Sequence, residues 1–190
     1  LDGEDLFVHS VAFSPDGKTL ASVNGDVTLW DLATGKERAT LQGHTEEDKE
    51  TSEPAYPVES VAFSPDGTYL ALVSANQLLV GEIQGDKISY SKDQYFETRL
   101  EIDSMALSPD GRRVAIATAD EVVILSFPEL TPLAMLEPLS FSANRDAGAN
   151  FASYGMPATG GSIERMSFGA DDTVLALATD SAVEFRDVSA

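Results

Sequence analysis

The turn motif Phe-Ser-Pro-Asp-Gly recurs along this chain, and the residues flanking it recur with it. Val11-Ala12-Phe13-Ser14-Pro15-Asp16-Gly17 returns as Val61-Ala62-Phe63-Ser64-Pro65-Asp66-Gly67 and as Met105-Ala106-Leu107-Ser108-Pro109-Asp110-Gly111. An altered fourth copy reads Met166-Ser167-Phe168-Gly169-Ala170-Asp171-Asp172. The anchors Ser14, Ser64, Ser108 and Gly169 stand 50, 44 and 61 residues apart. Self-similarity at such a period marks a stack of supersecondary units, none of which buries a core alone.

Each unit reads as a meander of short strands. In the first, Val11-Ala12-Phe13 stops at Pro15-Asp16-Gly17, where proline presets the turn and glycine accepts the positive φ that closes it. Leu20-Ala21-Ser22-Val23 is the second run and ends at Asn24-Gly25, a two-residue hairpin signal. Val27-Thr28-Leu29-Trp30 and Arg38-Ala39-Thr40-Leu41 supply the third and fourth strands. Matching second strands are Leu70 to Val73, Val114 to Ala117 and Leu175 to Ala178; matching third strands are Leu78 to Val80, Val122 to Leu125 and Val183 to Phe185. Many of these runs are apolar on both faces, bulky on one and alanine or serine on the other. A sheet with one wet face would alternate apolar with charged residues instead. Each small sheet is therefore expected to lie between two others, as radially arranged four-stranded blades do.

The first unit, from Ser10-Val11-Ala12-Phe13-Ser14-Pro15-Asp16-Gly17 through Trp30-Asp31 to Gly43-His44, resembles a WD repeat. The second and third units keep the turn and strand pattern but carry Gly81-Glu82 and Ser126-Phe127 in place of Trp-Asp, and the fourth ends Phe185-Arg186-Asp187. The resemblance implies a β-propeller whose usual work is holding other macromolecules. In that family the histidine of the Gly-His pair commonly bonds an aspartate between the second and third strands. Here His44 precedes a unit whose turn is Ala75-Asn76-Gln77, and Asp120 sits in a unit that no histidine precedes. The blades are thus expected to rely more on apolar packing.

The expected architecture is all-β, a β-propeller of four-stranded antiparallel blades with about four present. The units run approximately 1–41, 58–91, 102–136 and 163–190, with insertions at 42–57 and 137–161, in one domain. Leu1 aligns with Leu41, the tail of a fourth strand, and only Ser189-Ala190 follows the third strand of the last unit. That points to a segment of a larger propeller. A self-contained four-bladed ring and two chains closing an eight-bladed ring are the alternatives. Incomplete terminal blades would leave edges open to self-association.

In an up-and-down meander the Ser-Pro-Asp-Gly turns lie opposite the links between blades, so both insertions should decorate one face. Residues 42–57 hold Glu46, Glu47, Asp48, Glu50 and Glu53, then Tyr56 between two prolines. They read as a solvated loop, and their spacing matches no calcium loop. Residues 137–161 carry Phe141, Arg145, Phe151, Tyr154 and Met156 among glycines. Exposed aromatics beside an arginine are what protein hot spots are made of, though the same rings could simply tuck the loop onto the blades. Arg145, Phe151, Tyr154, Met156 and Tyr56 are the expected partner-binding residues.

Composition narrows the partners. The formal charge is −20, from 32 acids against 12 bases, which repels phosphate backbones and anionic lipid. A protein or peptide partner is expected, with neither nucleic acid nor membrane. The chain has no cysteine, which removes thiolate metal sites and thiol catalysis and leaves the compartment open. The two histidines, His9 and His44, fall on different units and give no metal-ligand spacing. Gly160-Gly161-Ser162 offers a hydroxyl with no base nearby, and Asp16, Asp66, Asp110 and Asp171 are turn formers by position. No catalytic, cofactor or metal site is expected. The main reading is a non-catalytic interaction scaffold. The alternative is the propeller portion of a hydrolase or of an extracytoplasmic sensor, because such turns also occur in propellers of prolyl-oligopeptidase type.

Overall fold

The structure, a computed structural model, describes residues 7–41, 57–119, 121–136, 163–179 and 182–189, with the backbone alone at 91–93. Every regular element among them is a strand. The first sheet runs β1 (Ser10–Phe13), β2 (Thr19–Val23), β3 (Val27–Asp31) and β4 (Lys36–Leu41) in that spatial order. The second has β5 (Ser60–Phe63), β6 (Tyr69–Ser74), β7 (Gln77–Ile83) and β8 (Ile88–Glu97), and the third β9 (Ser104–Leu107), β10 (Arg113–Ala117), β11 (Val122–Ser126) and β12 (Pro132–Leu136). The fourth holds three strands, β13 (Ile163–Phe168), β14 (Val174–Thr179) and β15 (Val183–Asp187). All pairings are antiparallel.

These sheets are blades of a partial propeller. Their first strands neighbour one another in the order β1, β5, β9, β13, while among the fourth strands β4 meets β8. The ladders repeat in register: Ala21 pairs with Leu29, Ala71 with Val80, Ala115 with Ile124 and Ala176 with Phe185. Where β3, β7 and β11 meet their fourth strands, the register slips at Leu29/Trp30, Leu79/Gly81 and Ile124/Leu125. A bulge at that recurring place increases local twist, as an outer strand of a fanned blade requires.

The core consists of three interfaces between blades. Ala21, Val23, Val27 and Leu29 of the first blade are buried against Val61, Leu70, Leu72 and Leu79 of the second. Ala71, Val73, Leu78 and Val80 meet Val114, Ile116, Val123 and Leu125 of the third. Ala115, Ala117, Val122 and Ile124 meet Phe168, Leu175 and Leu177 of the fourth. In every case the alanine-bearing face of one blade receives the bulkier face of the next. The expectation of sheets covered front and back is met by the second and third blades. A four-bladed ring is not formed, because Val11 and Phe13 on the first blade and Val183 and Phe185 on the last are 57–65% exposed. The fourth strand of the second blade runs on to Glu97, past residue 91.

Each buried leucine or valine contributes roughly 1.5–3 kcal/mol, so the interfaces rather than any single sheet hold the fold. Ala71→Leu should therefore overpack the joint between the second and third blades and cost about 1–3 kcal/mol. Urea unfolding checks this through a lower midpoint at unchanged slope.

Candidate functional site: two unlike faces of the propeller

Strand connectivity divides the molecule's rim into a turn face and a link face. On the turn face, three blades build the same network. Ser14, Ser64 and Ser108 are buried, and each hydroxyl donates to the aspartate two residues on, at 2.7, 2.6 and 2.6 Å. The same oxygens accept the backbone N–H of Thr19, Tyr69 and Arg113, each at 2.9 Å. The aspartates accept the backbone N–H of Lys18, Thr68 and Arg112, each at 3.0 Å. A serine beside a carboxylate invites comparison with a nucleophile and its base. Here the oxygen is buried and already accepts a backbone donor, so the pair serves the turn.

The fourth blade replaces the serine with Gly169 and solves the same problem differently. Asp171 accepts both the hydroxyl of Thr173, at 2.9 Å, and its N–H, at 3.2 Å. Asp172 takes the left-handed conformation, φ 60°, that Gly17, Gly67 and Gly111 adopt at 67°, 74° and 71°. Aspartate tolerates that region better than most side chains. Its carboxylate also accepts the N–H of Asp110, at 3.4 Å, joining two blades.

Side chains on this face tie each blade to the next. Arg38 donates to Thr19 Oγ1 at 2.9 Å and crosses to Asp86 at 3.0 Å in the β7–β8 turn. Gln94 donates to the Pro128 carbonyl at 2.7 Å, and Tyr69 meets Phe127 edge to face at 6.2 Å. Arg113 donates to the carbonyls of Val188, at 2.6 Å, and Asp172, while its guanidinium stands 5.5 Å from the Phe168 ring centre. Clefts lie between neighbouring turns on this face. One of about 520 Å³ is lined by Asp16, Arg38, Phe63 and Asp66, and one of about 350 Å³ by Asp66, Tyr69, Asp110 and Phe127. Their carboxylates are all engaged in turns. Among the described residues no group of three histidines or acids could hold a metal ion.

The link face is built on the turns between second and third strands. Val58 donates its N–H to the Gly25 carbonyl at 3.0 Å, while Leu41 pairs with Val27. Both ends of the 42–57 insertion are therefore anchored here. Leu136 pairs with Val122 and Ile163 with Thr179, which anchors both ends of 137–161 on the same face. Between them, the short link from β8 to β9 is tightly held. Thr98 donates its hydroxyl to the Asn76 carbonyl at 2.9 Å, and Asn76 donates its side-chain amide to the Thr98 carbonyl at 2.9 Å. Burial, and then the neighbouring Glu101, raise the Asp103 carboxyl above its ordinary value.

The expected contact residues Tyr56, Arg145, Phe151, Tyr154 and Met156 lie outside the described residues, as do His44, Asp120, Phe141 and the Gly160-Gly161-Ser162 stretch. His9 extends the β1–β2 ladder by donating its N–H to Val23, and its ring is exposed. Trp30 donates its indole N–H to Ser22 at 2.8 Å, tying the third strand of the first blade to the second. Sequence reading missed Arg38 and Arg113 as inter-blade ties. Their only signal is position: Arg113 opens a second strand five residues after the turn serine, and Arg38 lies near the rim of a fourth.

The WD40 family model (WD domain, G-beta repeat) matches residues 1–31 and 35–79, from the first blade into β7 of the second. No curated protein matches the chain. Among solved structures, a chain of Kuenenia stuttgartiensis hydrazine synthase superposes on 100% of this chain with a TM-score of 0.70 and 16% identity. This chain spans about half of that one, 48% of its length. At such low identity the likeness speaks to the fold.

Two measurements test the turn face. An alanine at Gly111 would be strained by its positive φ and would also meet Pro65 Cδ at 3.0 Å, whereas at Gly17 the space is empty. Gly17→Ala should lose about 1–2 kcal/mol from the left-handed backbone alone, and Gly111→Ala more. Calorimetric melting of both variants gives the order. The second concerns acid. The Ser64 hydroxyl, then the Thr68 N–H, hold the Asp66 carboxyl below its ordinary value near 3.8. The folded pKa lies below the unfolded one, so this contribution is present above about pH 4 and lost as pH falls through the folded value. Ser64→Ala should cost about 1–3 kcal/mol at pH 7 by orphaning the Tyr69 N–H. The gap between wild type and variant should narrow in urea titrations run below pH 4.

Proposed function

We propose that this chain is part of a non-catalytic WD-repeat scaffold that presents its link face to a protein or peptide partner. The supporting observation is the placement of both long insertions. Each leaves and rejoins the blades on the link face, at Leu41 and Val58 and at Leu136 and Ile163. Loops of this length in compact domains are commonly functional. The opposite face is consumed by its own hydrogen bonds. Arg145, Phe151, Tyr154 and Met156 are the residue types that dominate protein interfaces, and Tyr56 stands in the neighbouring insertion. The net charge of −20 disfavours nucleic acid and anionic membrane as partners.

Catalysis finds little support. The turn serines are buried acceptors of backbone N–H groups, and the turn aspartates are held by those serines. The resemblance to a chain of an enzyme bears on architecture alone.

The test is quantitative capture of a pulled-down partner by immobilised chain. Arg145→Ala combined with Tyr154→Ala should weaken capture by at least about tenfold, the loss of a modest hot spot. Asp86→Ala, which breaks only the exposed ion pair with Arg38 on the turn face, should leave it unchanged. Full capture by the folded double variant would remove the 137–161 insertion from the binding site.

A further inference from the structure

Three joints hold the blades together, and in two of them an arginine of this chain lies across the turn face. Arg38 lines the cleft between the first and second blades, where it bonds Thr19 Oγ1 at 2.9 Å, the Gly85 carbonyl at 3.3 Å and Asp86 at 3.0 Å. Arg113 bonds two carbonyls on the fourth blade's side and stands over the Phe168 ring. The middle joint differs. Its position equivalent to Arg113, five residues after the turn serine, is Tyr69. The cleft there, of about 350 Å³, is lined by Pro65, Asp66, Tyr69, Asp110, Phe127 and Pro128, with no base on its wall. The chain's own tie across this joint is neutral, from the Gln94 amide to the Pro128 carbonyl. Acceptors are left over. At Asp110 both turn donors reach Oδ1, and Oδ2 accepts no hydrogen bond among the described residues. Glu129, next to Pro128 in the β11–β12 turn as Asp86 is in the β7–β8 turn, is exposed and forms no ion pair among the described residues. Both walls belong to blades with a neighbour on either side, so the cleft is complete within this chain.

We infer that this middle cleft receives an arginine side chain from a partner polypeptide, as the neighbouring joints receive Arg38 and Arg113. Asp110 Oδ2 and Glu129 supply acceptors for the planar donors of a guanidinium, the part that Asp86 plays for Arg38. Tyr69 offers a half-buried ring on which the group can stack, as Phe168 does for Arg113. Pro65 and Pro128 would line the methylene stem. The charge of −20 draws a cationic segment toward the molecule. This contact would lie on the face opposite the two insertions and need not involve them. The turn network stays intact, because it uses Asp110 through Oδ1.

Nuclear magnetic resonance titration of the 190-residue chain with the amide of Nα-acetyl-arginine, a stand-in for arginine within a polypeptide, tests this. The backbone amides of Tyr69, Gly111 and Phe127 should shift and saturate, while that of Gly35, in a turn of the first blade, should not move. The matching citrulline compound, of the same shape without the charge, should leave all of them in place. The lysine compound, a point charge without the planar fork, should bind more weakly. Free arginine should also bind more weakly, because its own carboxylate meets Asp66 and Asp110. Tyr69→Arg supplies the cleft with the side chain that the third blade carries at this position and should abolish the shifts. Glu129→Gln, at an exposed site, should weaken binding by about two- to fivefold, as loss of an exposed ion pair does. A titration that never saturates would overturn the inference, since it marks diffuse attraction to a charge of −20. An equal response to the citrulline or lysine compound would overturn it too, as would unchanged binding by the folded Tyr69→Arg variant. Tighter binding of free arginine would overturn the assignment to a polypeptide.

Discussion

Alanine facing a bulkier side chain across the gap between neighbouring sheets is the contact on which this architecture rests. A blade of four short strands has two broad faces and almost no interior. Its stability comes from covering those faces, and at about 25 cal/mol per Å² the gain depends on how closely two sheets approach. Ala21, Ala71 and Ala115 permit that approach, and Leu70, Leu72, Val114, Ile116, Leu175 and Leu177 fill what remains. The repeat is directional for the same reason, because a small face cannot bury a small face. Every blade thereby specifies the chemistry of its successor.

Polar structure is sorted around that apolar stack. On the turn face, a buried serine, an aspartate and two backbone donors close the first hairpin of each of the first three blades. Such self-contained networks leave little chemistry free for a ligand. Arginines then reach sideways: Arg38 and Arg113 bond carbonyls and a carboxylate of the next blade, where a planar, multi-donor group suits several acceptors at once. The link face is organised by contrast around backbone pairing at blade ends, which holds the ends of the insertions.

Much of this was legible in the residues. The Ser-Pro-Asp-Gly turns placed the first hairpin of each blade, and the alternation of alanine with leucine or valine announced sheets buried on both faces. The altered fourth turn was legible too, as Gly169 with Asp171, although its replacement donor Thr173 was not. The inter-blade arginines were hidden because nothing local distinguishes a rim arginine that crosses to a neighbour from one that stays in water. The same holds for Asn76 and Thr98, which exchange hydrogen bonds across 22 residues.

What the sequence determined by itself was local: which residues turn, which pair as strands, and which face of each strand is small. Those properties follow from backbone sterics and a two-residue period, and both act over a few neighbours. Only the tertiary structure decided which blade receives which and where Arg38 and Arg113 are anchored. Those outcomes depend on surfaces meeting across tens of residues, where shape and desolvation act and no sequence period reports.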